Sequence, residues 1–312
     1  MMQETTYLSN RGYAILKTEK NKKLIKELKK DLTVSPNIIP NGNFTIAKEY
    51  PMFLESDTKI YMPKCYGLSK FGIPLNNNLT DGLDCPNLIF NGALRDIQKT
   101  PIDNYIKAAT NPDKLGGIIS VPCGFGKTAI ACYLIAAIGI KTFVLVHKEF
   151  LLNQWIERIQ TFLPNAKIGR IQGRIYDIED KDIVIAMVQT MSQQEFSMRA
   201  FDSFGFCILD EAHRVPCKEF SKALRRVQCP RMLALSATPH RTDGMHEFLR
   251  WFIGDLIYEV KAPATAESVV RIIEYGSTNQ SYCGDIRMSF DKVNRSALIN
   301  QICAYADRTS KL

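Results

Sequence analysis

The chain has 312 residues, of which 46% are hydrophobic and 23% are charged. This composition supports the core of a full α/β domain plus a smaller unit, and it excludes an intrinsically disordered chain. Lys and Arg number 40 against 32 Asp and Glu, which gives a formal net charge of +8. A polyanionic partner and an ordinary solvated basic surface both fit that charge.

Neither membrane insertion nor secretion is expected, because no apolar run of about 18 residues and no charged-then-apolar leader occurs. The nine cysteines contain no Cys-x-x-Cys pair, and several lie within apolar stretches. They predict reduced thiols of an intracellular protein rather than disulfide bonds or a zinc site.

Residues 1–90 are predicted to form a small α+β domain. The lysine-rich segment 20–30 begins it with an amphipathic helix, in which Leu24, Ile25, Leu28 and Leu32 share the apolar face. Short β-like runs follow, such as 58–62. The lysine face is either a solvated helix surface or a contact with nucleic acid.

Residues 91–263 alternate apolar strands and helices with short loops, which predicts a parallel α/β sheet flanked by helices. Five buried strands are predicted, at 117–121, 143–146, 183–187, 206–209 and 232–236. Residues 264–312 are predicted to contain a strand at 269–275 and a helix at 291–306, which would open a second α/β unit.

The segment 118–128 combines a buried strand, a glycine-bearing turn and the start of an apolar helix. Backbone N–H groups of such a turn and the N-terminus of its helix bind phosphate oxygens. Lys127 is expected to reach the β- and γ-phosphates of a nucleoside triphosphate, and the hydroxyl of Thr128 to ligate Mg²⁺. Val121 replaces the usual first glycine of this motif. The residues expected to surround the phosphates are Pro122, Cys123, Gly124, Phe125 and Gly126.

A second apolar strand, 206–209, ends in Asp210 and Glu211. Ligand-facing residues of a parallel sheet lie at the carboxyl ends of its strands. Asp210 is expected to hold the magnesium ion, and Glu211 to polarise the attacking water. A helix N-cap pair is the alternative interpretation of these acids. Together the two segments predict an enzyme that hydrolyses a nucleoside triphosphate.

Further motifs, in order and position, resemble those of superfamily 2 helicases over residues 92–265. Leu94 to Gln98 is similar to the glutamine motif, which implies that Arg95 and Gln98 contact the adenine of ATP. The acids continue as Ala212 and His213, and a Ser-Ala-Thr segment follows the strand at 232–236. The resemblance implies that four residues couple the state of ATP to movement: His213, Ser236, Thr238 and Arg241.

Two segments, 144–155 and 183–190, resemble those that contact one nucleic-acid strand in this family. They imply contacts from Lys148, Gln189 and Thr190, which would hold phosphates without recognising base sequence. Trp155 is assigned to the core. DNA is favoured over RNA as the partner.

Within superfamily 2 the motifs resemble the branch of the XPB and phage UvsW helicases, and the phosphate loop is similar to that of the poxvirus transcript-release helicase and its relatives in large DNA viruses. The resemblance implies a RecA-like lobe that uses ATP and Mg²⁺. It also implies a monomeric viral protein of the host cytoplasm, with the virion as a second location, and with a role in transcription, recombination or repair.

Helicases of this superfamily close two RecA-like lobes around ATP, and the second lobe supplies arginines to the γ-phosphate. No Gln-x-x-Gly-Arg-x-x-Arg segment occurs in the sequence. We therefore expect this chain to bind Mg-ATP weakly, to hydrolyse little of it, and to need a second lobe in cis or in trans. A non-catalytic nucleic-acid-binding module and a viral packaging-type ATPase remain alternatives.

Overall fold

The structure is a computed structural model that describes residues 5–35, 49–197, 199–212, 217–237, 246–260 and 295–305. The chain divides into two compact units, Met1–Ala262 and Pro263–Leu312. The described residues of the first unit form a five-stranded sheet and a two-stranded sheet in the first 90 residues and an eight-stranded sheet in the rest.

The sheet of the first 90 residues has five strands and is mostly antiparallel. Its region contains β1 (Thr6–Ser9), β2 (Gly12–Leu16), α1 (Lys22–Asp31), β3 (Thr33–Val34), β4 (Tyr50–Pro51), β5 (Leu54–Glu55), β6 (Lys59–Met62), α2 (Lys64–Phe71) and β7 (Asn76–Asn77). The strand order is β5-β6-β2-β1-β7, and the β1–β7 pair is parallel. β3 and β4 form a separate antiparallel pair.

Helix α1 is amphipathic, as its sequence predicts. Ile25, Leu28 and, just past the helix, Leu32 are buried. The lysines on the opposite side are exposed, and we call them the α1 lysine surface: Lys20, Lys22, Lys23, Lys26 and Lys30. Within it, residues 22, 26 and 30 are spaced one turn apart, so three like charges form a row that costs helix stability.

A second, eight-stranded sheet occupies residues 96–260. Its region contains α3 (Asp96–Thr110), β8 (Gly116–Ser120), α4 (Lys127–Ile138), β9 (Thr142–Val146), α5 (Glu149–Phe162), β10 (Ile168–Gln172), β11 (Ile175–Tyr176), β12 (Ile183–Met187), α6 (Val188–Gln193), β13 (Phe206–Asp210), α7 (Cys217–Arg226), β14 (Arg231–Ser236), α8 (His246–Ile253) and β15 (Leu256–Glu259). The strand order is β11-β10-β12-β9-β13-β14-β8-β15. All neighbouring pairs are parallel except β10 with β11.

All five predicted strands are present, as β8, β9, β12, β13 and β14. The predicted α/β class, a parallel sheet flanked by helices and preceded by a small α+β region, is confirmed. The strands that the sequence did not predict, β10, β11 and β15, lie at the two ends of the sheet. They lack a continuous buried run: Arg170 is exposed in the middle of β10, and no residue of β15 is fully buried.

Side chains alternate between the two faces of the large sheet, so that each face carries its own core. On one face Val144, Ile208 and Leu233 pack beneath α3, α4 and α5. On the other face, Leu145 and Leu209 join a core that includes α6, α7, α8 and the N-terminal sheet. The N-terminal region therefore packs directly on this second face.

Lys64, at the start of α2, illustrates that packing. Its side chain is fully buried, and its ammonium group donates to the carbonyl oxygen of Cys229 at 3.0 Å and to that of Pro230. Burial lowers the pKa of this lysine. Because a buried ammonium needs such acceptors, α2 is fixed against the loop that precedes β14.

In the second compact unit, the described residues form one helix, α9 (Arg295–Ala304), inside the range where a helix is predicted. The predicted strand at 269–275 lies outside the described residues. None of the described helices combines the length and the apolar character that crossing a membrane requires.

Candidate active site

The candidate site begins where three neighbouring strands end. β8, β14 and β13 are adjacent and parallel, so Ser120, Ser236 and Asp210 lie at one edge of the sheet. The N–H of Val121 donates to the carbonyl of Ser236 at 3.0 Å, which extends the pairing by one residue. The Val121 side chain is fully buried, so this position continues the strand and its valine serves packing.

The phosphate loop connects β8 to α4. Gly124 and Gly126 have φ angles of 80° and 88°, in the left-handed region that favours glycine. A Cβ at Gly126 would lie 2.3 Å from Nε2 of Gln98, so no larger residue fits there without displacing that amide. Phe125 is buried and Cys123 is exposed. Lys127 and Thr128 follow in the first turn of α4, as the motif predicts.

Arg95 and Gln98, at the start of α3, hold the carbonyl groups of this loop. The guanidinium of Arg95 donates to the carbonyl of Gly124 at 3.1 Å and also to that of Phe125. The Gln98 amide donates to the carbonyl of Phe125 at 3.0 Å, and its oxygen accepts the backbone N–H of Arg95 at 2.9 Å. Gln98 is 3% exposed. Both ends of its amide are thus occupied within the chain, and adenine contact by Arg95 and Gln98 remains a prediction.

Replacing Gln98 with alanine is expected to weaken ATP binding about tenfold, because the loop loses a donor and its carbonyls stay buried. Equilibrium binding of ATP and of GTP distinguishes the two roles of this side chain. Equal losses indicate positioning of the loop, whereas a loss confined to ATP indicates adenine contact. Asp96→Ala, at an exposed position of the same helix, is the control and is expected to bind as the parent does.

Glu211 is the acid that faces Lys127, at the end of the loop. Nζ of Lys127 lies 3.5 Å from Oε1 of Glu211, and both side chains are mostly buried. Glu211 has a φ of 50°, a left-handed conformation that is uncommon for a non-glycine residue. Its N–H donates to Oδ1 of Asp210 at 2.9 Å. The strained turn therefore directs the two neighbouring carboxylates differently, one toward Lys127 and one into the sheet edge.

Asp210 is 6% exposed. Burial raises the pKa of its carboxyl group, and a hydrogen bond from the indole of Trp155 to Oδ2, 2.8 Å long, opposes that rise. Sequence periodicity assigns Trp155 to the core, where it is 1% exposed. That periodicity does not predict the hydrogen bond between Trp155 and Asp210.

The donor set fits a magnesium ion. Thr128 offers a hydroxyl and Asp210 a carboxylate, which are oxygen ligands of the kind that Mg²⁺ prefers. No group of three or more His, Cys, Asp or Glu residues able to hold a metal occurs in the described part of the chain. Such a site suits an ion that takes most of its ligands from phosphate and water.

The residues predicted to contact nucleic acid follow the next two parallel strands, β9 and β12. The Gln189 amide donates to the carbonyl of His147 at 2.8 Å, which joins the two strand ends. Lys148 is exposed, and its ammonium lies 5.8 Å from the ring centroid of Phe150. Thr190 is 8% exposed, and its hydroxyl accepts the N–H of Gly173 at 3.0 Å. The hydroxyl of Thr190 therefore supports the loop at residue 173.

Sequence reasoning did not single out Phe150, which is 61% exposed. The buried positions of α5 are Leu151, Leu152, Trp155 and Ile159, and Phe150 lies off that face. An aromatic residue outside the apolar face and next to a lysine is the signal that could have identified it.

Three of the predicted coupling residues, His213, Thr238 and Arg241, lie outside the described residues. Ser236 is described, is 2% exposed, and lies between the phosphate loop and Asp210 at the sheet edge.

Comparison with known proteins gives consistent matches. Residues 91–241 match the family model "Type III restriction enzyme, res subunit". A protein of Acanthamoeba polyphaga mimivirus that carries the provisional name ATP-dependent RNA helicase is 30% identical over 95% of this chain. The DNA 3'-5' translocase XPB2 of Sulfurisphaera tokodaii is 30% identical over 60% of this chain. The UvsW helicase of bacteriophage T4 matches the fold with a TM-score of 0.55 at 18% identity, over 81% of this chain and 98% of that structure.

The chain spans 58% of the mimivirus relative and 40% of the Sulfurisphaera translocase.

Proposed function

We propose that this chain, whose residues 91–241 match the family model "Type III restriction enzyme, res subunit", is the ATP-binding part of a nucleic-acid translocase. The matches also confirm the resemblance to superfamily 2 helicases and to their relatives in large DNA viruses. One observation supports the proposal most directly: Nζ of Lys127, in a glycine-bearing loop after β8, lies 3.5 Å from Oε1 of Glu211, which follows β13, and these two parallel strands are separated in the sheet by β14.

ATP and Mg²⁺ occupy this sheet edge in the proposed reaction. The loop N–H groups and the N-terminus of α4 bind the phosphates, and Lys127 neutralises the β- and γ-phosphate charge. Thr128 and Asp210 would hold the magnesium ion, which would neutralise part of the phosphate charge. Glu211 orients and polarises the attacking water, while Arg95 and Gln98 hold the loop in shape.

Nucleic acid lies, in this proposal, along the ends of β9 and β12. Lys148 contacts a phosphate, and the ring of Phe150 offers an exposed surface on which a base stacks. Gln189 positions this edge through the carbonyl of His147. We favour DNA over RNA because the sequence motifs are most similar to the XPB and UvsW branch.

The α1 lysine surface provides a second contact, by which the first 90 residues bind the same polymer. Its row at residues 22, 26 and 30 carries like charges that a phosphate backbone would neutralise. Lys22 of this row forms a salt bridge with the exposed Glu19, 3.9 Å long, which gives little stabilisation.

Linked binding of nucleotide and nucleic acid tests the function. A fluorescent single strand, as DNA and as RNA of equal sequence, is titrated with the protein with and without a non-hydrolysable Mg-ATP analogue. The analogue is expected to change DNA affinity at least fivefold, and DNA to change affinity for the analogue by the same factor. Equal DNA affinity in both conditions, at an analogue concentration that saturates the ATP site, would reject coupling of nucleotide and DNA binding within this chain, and tighter binding of RNA would reverse the choice of polymer. Replacing residues 22, 26 and 30 by glutamate reduces the salt dependence of binding if the α1 lysine surface contacts phosphates.

The remaining roles follow from the resemblance. His213, Ser236, Thr238 and Arg241 transmit the state of the γ-phosphate to movement, and a second RecA-like lobe in cis or in trans completes the ATP site. The mimivirus relative supports a viral protein. For such a protein we propose a role in transcription or recombination in the host cytoplasm.

A further inference from the structure

Among the hydrogen bonds of the described residues, Trp155 supplies the one that joins an aromatic side chain to an acid of the proposed ATP site. Its indole N–H donates to Oδ2 of Asp210 at 2.8 Å. The other oxygen, Oδ1, accepts the N–H of Glu211 at 2.9 Å. Two donors on different elements, α5 and the turn after β13, thus fix the plane of the carboxylate. A carboxylate has about four acceptor positions, so each oxygen retains capacity for another ligand.

The position of Trp155 in α5 does not by itself require a tryptophan. The side chain belongs to the buried face that also contains Leu152 and Ile159, and it packs within the core beneath the sheet. A phenylalanine or leucine would supply apolar contacts at such a position. The indole nitrogen is the feature that those residues lack, and it points at a carboxylate that is 6% exposed.

An indole N–H is a donor only, so it matches an ionised acceptor. A carboxylate that binds a cation has to be fixed in orientation, and the two donors to Asp210 supply that restraint. Outer hydrogen-bond partners of metal ligands commonly serve this purpose, and their loss costs about 10- to 100-fold in metal affinity.

We propose that Trp155 is a positioning residue of the ATP site, whose indole N–H holds Asp210 in the orientation that binds the magnesium ion of Mg-ATP. This inference rests on the proposed function, because it assigns Asp210 to the metal. It places a determinant of metal binding on α5, which begins directly after Lys148 at the proposed nucleic-acid edge.

The test separates metal binding from nucleotide binding. Affinity for a fluorescent, non-hydrolysable ATP analogue is measured in EDTA and then as a function of Mg²⁺ concentration. For Trp155→Phe, the Mg²⁺ concentration at half-saturation is expected to rise about tenfold, with affinity in EDTA unchanged. An unchanged Mg²⁺ dependence overturns the inference and leaves the ATP site intact, whereas no binding of the analogue by the parent overturns the proposed function itself.

A second measurement leaves Trp155 in place. The chain has two tryptophans, so Trp251→Phe leaves Trp155 as the only indole fluorophore. Trp251 lies in α8 and packs edge-on against Tyr66. In this variant, adding Mg²⁺ to the protein with bound ATP analogue is expected to change the emission of Trp155, because the charge on its hydrogen-bond acceptor is neutralised. Unchanged emission on Mg²⁺ binding contradicts the inference even if Trp155→Phe fails to fold.

Discussion

Lys127→Ala is expected to weaken binding of Mg-ATP by roughly 10- to 100-fold. The variant loses a charge-assisted hydrogen bond to phosphate, which is worth about 1.5–3 kcal/mol. It also loses the cation that faces Glu211 at 3.5 Å. The carboxylate then stands unneutralised beside the incoming phosphates, so repulsion adds to the lost attraction.

Equilibrium binding of a fluorescent, non-hydrolysable ATP analogue measures this loss. Lys107→Ala is the matched control, because Lys107 is exposed on α3 and lies outside the site. Thermal unfolding of the free proteins shows whether the fold is retained. If Lys127→Ala binds the analogue as tightly as Lys107→Ala does, the loop does not bind phosphate and the proposed site is wrong.

The sequence predicts the central strands of the large sheet better than its outer strands, for a physical reason. Central strands of a parallel sheet are buried on both faces, so β9 and β13 are continuous apolar runs that a sequence pattern shows clearly. Strands near the ends of a sheet need not be apolar on both faces. β10 therefore alternates buried and exposed residues around Arg170 and carries no comparable pattern.

In the candidate site, likewise, the sequence predicts the motif residues but not the contacts that support them. Lys127, Asp210 and Glu211 each lie at or after the carboxyl end of a strand of the parallel sheet. Because the carboxyl ends of nearby parallel strands share one edge of the sheet, the sequence predicts that these side chains lie close together. The hydrogen bonds that support the site could not be predicted. Trp155 has the periodicity of a core residue and Gln98 that of a helix start, and their partners lie 55 and 27 residues away.

Glu211→Gln is expected to lose hydrolysis and to keep its affinity for ATP, whereas Lys127→Ala loses affinity. Loss of a group that polarises the attacking water typically costs about 10²- to 10⁴-fold in rate, and the amide of glutamine cannot accept the proton. Affinity for ATP is expected to be retained or increased. The variant frees Lys127 from its 3.5 Å ion pair with Glu211, so the ammonium no longer exchanges one anion for another when phosphate binds. Burial is the main cause of the raised pKa of Asp210 and the Glu211 charge adds to it, so removing that charge also favours the ionised form of Asp210.

Single-turnover hydrolysis of labelled ATP, at protein concentrations above the dissociation constant, measures the chemical step even when turnover is slow. Glu157→Gln provides the same chemical change at an exposed position of α5. The pair of site variants is more informative than either alone: binding falls in Lys127→Ala, whereas only hydrolysis falls in Glu211→Gln. A Glu211→Gln protein that hydrolyses ATP at the rate of the Glu157→Gln control would exclude Glu211 as the residue that activates water, and a loss of affinity without a loss of rate would assign it to nucleotide binding instead.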